Sequence, residues 1–315
     1  MRVVPLEAFR DKLSFAVAVH AVERGFRALA LGEATLPDPM VVELAAQQAE
    51  VHVKAAYLRG ARHIVLKLAT GFYKNRARGL PSGDGLFLLL DAETGAPDLL
   101  LEEHGYLTDF RTAAAVALTL KYLAPKDARD ALLVGAGALA RLTARALIAE
   151  MPLERLTLWN RTPERAAALA QELAPLVATH VAPALEHAVR DHRVIVTATA
   201  STTPLVRAAW VTAGMHITSV GTGSPEKVEL EPEVLSKADK LIADRVSQTE
   251  RYGNLHHALA AGAITPRQVY GELGDLAAGR LAGRETASEI TVADLTGVGV
   301  QDAAIAQVVV EVLGL

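Results

Sequence analysis

Hydrophobic positions change their period along this chain. In residues 13–31 (LSFAVAVHAVERGFRALAL), Phe15, Val19, Val22, Phe26 and Leu29 recur every three or four positions, the spacing of one helix face. After Pro37 and Pro39 the period shortens to two. Val51, Val53, Ala55 and Tyr57 alternate with His52, Lys54 and Ala56, and Ile64, Leu66 and Leu68 alternate with Val65, Lys67 and Ala69. Runs 86–90 and 99–101 flank Asp91-Ala92-Glu93-Thr94-Gly95, which predicts a hairpin. The first 125 residues therefore read as an antiparallel or mixed sheet behind a helix.

A helix through RTAAAVALTLKYLA, entered at Thr108, is expected to stop before Pro125. Beyond it strand and helix alternate. Strands are expected at 131–134, 156–159, 194–197, 217–220 and 241–243, and helices at 138–150 and 163–174. The second of these helices takes Thr162 as N-cap and Pro163 as its first residue. Such alternation predicts a doubly wound parallel sheet with helices on both faces. The helix after Thr296 is apolar enough to pack on the first domain. The expected division is 1–125 with 296–315 as one domain and 126–295 as the other.

Composition narrows the classes. The chain has 315 residues, 51% hydrophobic and 22% charged, so it is a globular protein of about two domains. Its 32 basic and 36 acidic residues leave a formal charge of −4, and aromatics are 4%. Neither figure suits nucleic acid or an anionic membrane as a partner. The absence of cysteine removes disulfides, thiolate metal sites and a thiol nucleophile. No metal-ligand spacing appears, and the adjacent His256 and His257 point in different directions on a helix. The charged N-terminus and the lack of a long apolar run predict a cytoplasmic protein.

The strongest motif is Gly135-Ala136-Gly137-Ala138-Leu139-Ala140, after a strand and opening a helix, as a dinucleotide fingerprint requires. Gly135 would make the tight turn, Gly137 would admit a pyrophosphate, and Ala140 would let helix and strand approach. The amides from Ala138 and Leu139 onward would meet the phosphates. Twenty positions on, Trp159-Asn160-Arg161-Thr162 has no acid for a ribose diol. Asn160, Arg161 and Thr162 suit a 2′-phosphate, so NADP(H) is preferred over NAD(H), which stays open. Thr197 and Val220, at the ends of two later strands, would border the same cofactor.

Two further charges are out of place. Arg111 sits where a capping box begun at Thr108 would want Glu or Gln, in a first turn whose dipole opposes a cation. It reads equally as a carboxylate ligand or as a surface ion pair with Asp109 or Glu103. Lys67 lies inside Ile64-Val65-Leu66-Lys67-Leu68-Ala69, where a buried ammonium needs a partner and its pKa falls readily, unless the strand is an edge. Lys54 lies in a similar run.

Together these residues resemble the family of ornithine cyclodeaminase, alanine dehydrogenase and mu-crystallin over nearly the whole chain. The resemblance rests on Lys67, Gly79-Leu80-Pro81, the 91–95 turn, LTDFRTAA (107–114), the 135–140 fingerprint and TGVGVQD (296–302). Segments 71–75, 105–109 and 255–258 are most similar to ectoine-utilisation members, with iminosuccinate reductases as near relatives. The resemblance implies a Rossmann-type domain plus an α+β substrate and dimerisation domain built from both chain ends, and a homodimer. It also implies that Lys67 and Arg111 meet the carboxylate of a small imino or amino acid, with Gly299 and Gly223 lining the site. Cyclodeaminases carry an aspartate where Gly223 stands, and a family arginine is replaced near Pro39, a loss Lys54 could make good. Hydride transfer to a carboxylate-bearing imine is therefore the expected reaction. The alternatives are a lyase recycling bound NAD, an alanine dehydrogenase, and a non-catalytic NADPH-dependent binding protein.

Overall fold

In the computed structural model, residues 1–315 are described, the side chain of Arg76 excepted. The chain forms two compact units, Met1–Arg111 with Val298–Leu315, and Thr112–Gly297. The first division falls inside the helix Tyr106–Leu123 rather than at its end near Pro125. No helix is long and apolar enough to cross a membrane among the described residues.

The first unit is a sheet covered on one face by helices. Strands Pro97–Glu102, Gly83–Asp91, His63–Phe72 and Ala49–Leu58 lie in that order and are antiparallel to their neighbours. Arg2–Val4 adds in parallel at one edge, while Ala34–Thr35 and Met40–Leu44 both pair with Ala49–Leu58. The 91–95 hairpin is closed by Asp91, whose carboxylate accepts from the amides of Glu93 and Thr94 and from the Thr94 hydroxyl. Helix Phe15–Ala30 is capped by Ser14 and buries Val19, Val22 and Phe26, while Phe15 and Leu29 stay partly open. It crosses helix Gly299–Leu313 at Gly25, where a Cβ would lie 2.9 Å from the Val300 carbonyl oxygen.

Strand parity runs against simple amphipathicity. The covered face carries Lys54, Ala56, Val65, Lys67, Phe87 and Leu89, all buried. Val51, Val53, Leu66, Leu68, Leu86 and Leu88 lie on the opposite face and are only partly buried. The more apolar row is thus the one left open.

The second unit is an eight-stranded, wholly parallel sheet. Its order is Ala178–Val181, Arg155–Trp159, Asp130–Val134, Val194–Thr197, His216–Ser219, Thr291–Asp294, Lys240–Ala243 and Val269–Glu272. The chain begins the sheet in its middle, winds to one side, then returns past Asp130–Val134 to build the other. That reversal places a switch point between Asp130–Val134 and Val194–Thr197, where ligands of open parallel sheets bind. The central strands are buried on both faces, which explains their uninterrupted Leu, Val and Ile runs. Pro163 begins its helix as expected, but Thr162 makes no side-chain cap bond; Asn160 Nδ2 instead donates to the Thr162 carbonyl oxygen at 2.9 Å.

Candidate active site

Each unit gathers one group of the expected site residues. In the first unit, strand register sets Lys54 directly across from Lys67 on the covered face. Lys67 is 2% exposed and donates from Nζ to Asp302 Oδ1 at 3.0 Å. Arg111 is 3% exposed; its Nε lies 2.8 Å from the same Oδ1, and Nη1 donates to Gln301 Oε1 at 2.9 Å. Arg111 is therefore a buried ion-pair member and not a surface bridge to Asp109 or Glu103. Gln301 is fixed in turn by the Val298 amide, which donates to Oε1 at 2.7 Å.

The helix carrying Arg111 begins at Tyr106, not Thr108, so Arg111 lies in the second turn. The end is capped by Glu103, whose carboxylate accepts from the Thr108 amide and hydroxyl. The expected mismatch between a first-turn cation and the dipole does not arise, since the first turn holds Asp109 and borrows Glu103.

The electrostatics follow from burial. Burial and then Arg111 lower the Lys67 pKa, against the opposing pull of Asp302. For Asp302, burial pushes upward, but Arg111, Lys67 and Lys54 outweigh it and hold the carboxyl below its ordinary range. Burial raises Glu103, and burial together with Glu103 raises Asp109 to about 7. Asp109 thus carries less negative charge near neutral pH than an ordinary aspartate, which favours an added carboxylate beside Lys67 and Arg111. Asp302 Oδ2 is buried without a hydrogen-bond partner among the described residues, and Arg111 Nε, although 2.8 Å from Asp302 Oδ1, is not aligned to donate to it. Polar atoms so placed are costly unless something completes them.

Gly299 also has a packing role. A Cβ there would lie 2.7 Å from Leu36 Cδ1 and 3.0 Å from the Ala55 carbonyl oxygen, so it is a packing glycine that lets the last helix approach the sheet.

In the second unit, Gly135 follows Asp130–Val134 with φ +129, and a Cβ would lie 2.5 Å from the Ala198 carbonyl oxygen. Only glycine suits that position. At Gly137 a Cβ would meet nothing within 4 Å, which leaves the approach open. The first bond into helix Ala138–Glu150 is Arg141 N–H to the Gly137 carbonyl, so the amides of Ala138, Leu139 and Ala140 have no intrahelical acceptor. Ala140 is fully buried against the sheet. These features fit a dinucleotide pyrophosphate. Asn160, Arg161 and Thr162 follow Arg155–Trp159, with Arg161 exposed. Thr197 and Val220 stand at the carboxyl ends of adjacent strands, both buried; the Thr197 hydroxyl donates to Glu229 Oε2 at 2.8 Å. A Cβ at Gly223 meets no atom within 4 Å.

His256 and His257 each direct a ring nitrogen at a backbone carbonyl, those of Glu250 and Lys227. No group of three or more metal-ligating side chains comes together among the described residues.

Sequence reasoning missed Asp302, Gln301 and Glu229. Asp302 and Gln301 lie within TGVGVQD, but nothing local ties them to Lys67 and Arg111. Glu229 had a signal, being a lone acid in the apolar triplet Val228-Glu229-Leu230.

The comparisons with known proteins agree with this architecture. The iminosuccinate reductase of Paracoccus denitrificans is 38% identical, over 80% of this chain and 78% of that protein. An archaeal alanine dehydrogenase dimer with bound NAD superposes with a TM-score of 0.92 at 31% identity, covering 99% of this chain and 95% of that one. The Thermococcus litoralis Delta(1)-pyrroline-2-carboxylate reductase, in complex with NADH and L-proline, gives 0.95 at 28% identity, covering 99% and 97%. The model of the ornithine cyclodeaminase/mu-crystallin family matches residues 6–314, and the chain belongs to that family.

Proposed function

We propose that this chain is a cytoplasmic, homodimeric NAD(P)H-dependent imine reductase that converts the C=N bond of a carboxylate-bearing imine into an amine or amino acid. The observation that carries this reading is the buried Lys67–Asp302–Arg111 cluster. Lys67 has three N–H donors and directs one at Asp302, so two are free to hold a substrate carboxylate. Arg111 adds its charge to the same anion, and Lys54 borders it. Asp302 orients both cations and keeps either from being buried alone. With its pKa lowered, Lys67 can also hand a proton to the imine nitrogen, which makes the carbon a better hydride acceptor. Positioning of the bound imine supplies much of the rate.

Gly135, Gly137 and the amides that follow would hold the dinucleotide, which when bound supplies the hydride. The preference for NADP(H) rests on Arg161, an exposed guanidinium with no acid between Trp159 and Thr162. The homodimer is supported by the open apolar sheet face bearing Val53, Leu66, Leu68 and Leu88, which a second copy would cover. The related archaeal alanine dehydrogenase is itself a dimer.

The test is oxidation of NADPH and NADH against cyclic imino acids, and against pyruvate or oxaloacetate with ammonia or methylamine. L-Ornithine without added cofactor runs alongside. Imine-dependent oxidation supports the reductase. Proline and ammonia from ornithine would replace it with a lyase. Tight cofactor-dependent ligand binding without turnover would make the chain a binding protein.

A further inference from the structure

We infer that Glu229 is the positioning residue of the dinucleotide site, a reading that rests on the second unit binding a nicotinamide dinucleotide. Glu229 is fully buried in the short strand Val228–Leu230, outside the eight-stranded sheet. Its carboxylate accepts five hydrogen bonds. Oε1 takes the Thr199 amide at 2.6 Å and the Thr199 hydroxyl at 2.7 Å. Oε2 takes the hydroxyls of Thr197 and Ser219, each at 2.8 Å, and the Gly221 amide at 2.9 Å. Asn254 Oδ1 accepts from the Glu229 amide at 2.9 Å, fixing the backbone beneath.

These donors are the carboxyl ends of two adjacent strands, Val194–Thr197 and His216–Ser219, together with the turns that leave them. One oxygen of Glu229 serves the first turn, and the other reaches both. The glycine turn of the fingerprint leans on the same structure, since Gly135 packs against the Ala198 carbonyl. Ala198 N in turn donates to the Val134 carbonyl at 2.9 Å. At Gly221 a Cβ would overlap the Thr199 carbonyl oxygen, so the two turns are in contact without room to shift. Val220 lies between Ser219 and Gly221, both held by Glu229. The geometry makes one carboxylate set the spacing of two strand ends, beside the glycine turn that packs on them, where a dinucleotide of this fold lies.

The chemistry requires a carboxylate. Hydroxyls can turn to offer a lone pair, but a backbone N–H cannot. The Thr199 amide needs an acceptor at Oε1 and the Gly221 amide needs one at Oε2. In Glu229→Gln one of the two must face an NH2 group, so one turn moves even though the shape of the side chain is kept.

The experiment titrates NADPH and NADH into wild type, Glu229→Gln and Thr157→Val, following nucleotide fluorescence and thermal unfolding. Thr157 bonds buried His192 at 2.8 Å in the same unit, away from these turns, and serves as a matched loss of a buried hydrogen bond. Glu229→Gln is expected to weaken the better dinucleotide by about tenfold or more, the scale of one unsatisfied buried donor. Thr157→Val should leave affinity within about twofold at a similar fall in Tm. Equal affinities for wild type and Glu229→Gln, or equal losses in the two variants, would overturn the positioning role. Failure of wild type to bind either dinucleotide would instead overturn the underlying reading. If Glu229→Gln does not fold, Ser219→Ala and Thr199→Val each remove one donor and must weaken binding more than Thr157→Val does.

Discussion

Asp302 holds Lys67 at 3.0 Å although 235 positions separate them in the chain. The last helix thus delivers a carboxylate to a strand lysine near the other end of the sequence, and Arg111 Nε shares the same oxygen at 2.8 Å. Substitution Asp302→Asn keeps the shape and removes the charge, leaving two cations buried together. Breaking a buried pair in this way costs about 3–5 kcal/mol. Denaturant unfolding should show a loss of that size, and kcat/KM for the imine should fall at least as far as in Lys67→Met. An Asp302→Asn protein of wild-type stability would show that the cluster does not depend on the carboxylate.

Much of the fold was legible because its signals are local. The 91–95 turn, the glycine fingerprint and the buried central strands each need only neighbours in sequence. Lys67 was found because an ammonium inside an apolar run is anomalous wherever its partner lies. Other features depend on information that is not local. Rows Val51–Val53 and Leu66–Leu68 look like a core face, yet the covered face is the one with Lys54 and Lys67. The helix expected from Thr108 begins at Tyr106 because Glu103, outside it, supplies the cap. Strands Ala178–Val181, Val269–Glu272 and Thr291–Asp294 are interrupted by polar residues or glycine, so they lack the apolar run that marked Val194–Thr197, which is equally short.

A buried neutral histidine makes stability depend on pH. His216 hydrogen-bonds Thr291 and Thr218, each at 2.8 Å, and burial lowers its pKa from 6.5 to about 3. Below its ordinary pKa the unfolded chain binds a proton that the folded chain refuses, so stability falls as pH falls. The loss reaches about 2 kcal/mol by pH 5. Burial raises Asp109 to about 7 and Asp294 to about 6, and both act in the opposite sense. The comparison must therefore be the wild type minus His216→Gln. Chemical denaturation at about pH 5 and pH 7.5 should show the variant gaining about 2 kcal/mol relative to wild type as pH falls. Equal slopes would mean that His216 does not hold the neutral form.

The reaction should fade toward alkaline pH. Lys67 has its pKa lowered by burial and by Arg111, so it loses its proton earlier than an exposed lysine. Loss of that proton removes both a carboxylate ligand and a proton donor. The hydride step, isolated by single-turnover mixing, should slow toward alkaline pH, and at a lower pH than the loss of a proton from an exposed lysine would give. A flat profile would assign the proton to another group.

Arg161 tests cofactor choice. It is exposed at the end of Arg155–Trp159, and its removal costs the fold little. Arg161→Ser should raise KM for NADPH by about tenfold, the worth of a charge-assisted contact, and leave NADH nearly unchanged. Equal effects on both cofactors would show that the guanidinium does not read the 2′-phosphate.

Gly223 separates the expected reductase chemistry from a lyase. The resemblance to cyclodeaminases implies an aspartate at this place, acting there as acid and base. Here a Cβ would meet nothing within 4 Å, and the backbone is not in the left-handed region. Glycine is therefore not required by packing or by conformation, and its consequence is chemical: it cannot exchange a proton. Gly223→Asp should fold with a Tm within a few degrees of wild type, because a surface or open position is worth only about 0.5 kcal/mol. Wild type should form no proline from L-ornithine without added cofactor. Any proline formed by Gly223→Asp and not by wild type would locate the divide between reductase and lyase at this position. Proline from the wild type itself would mean that another group, with Asp109 the first to examine, already supplies the acid.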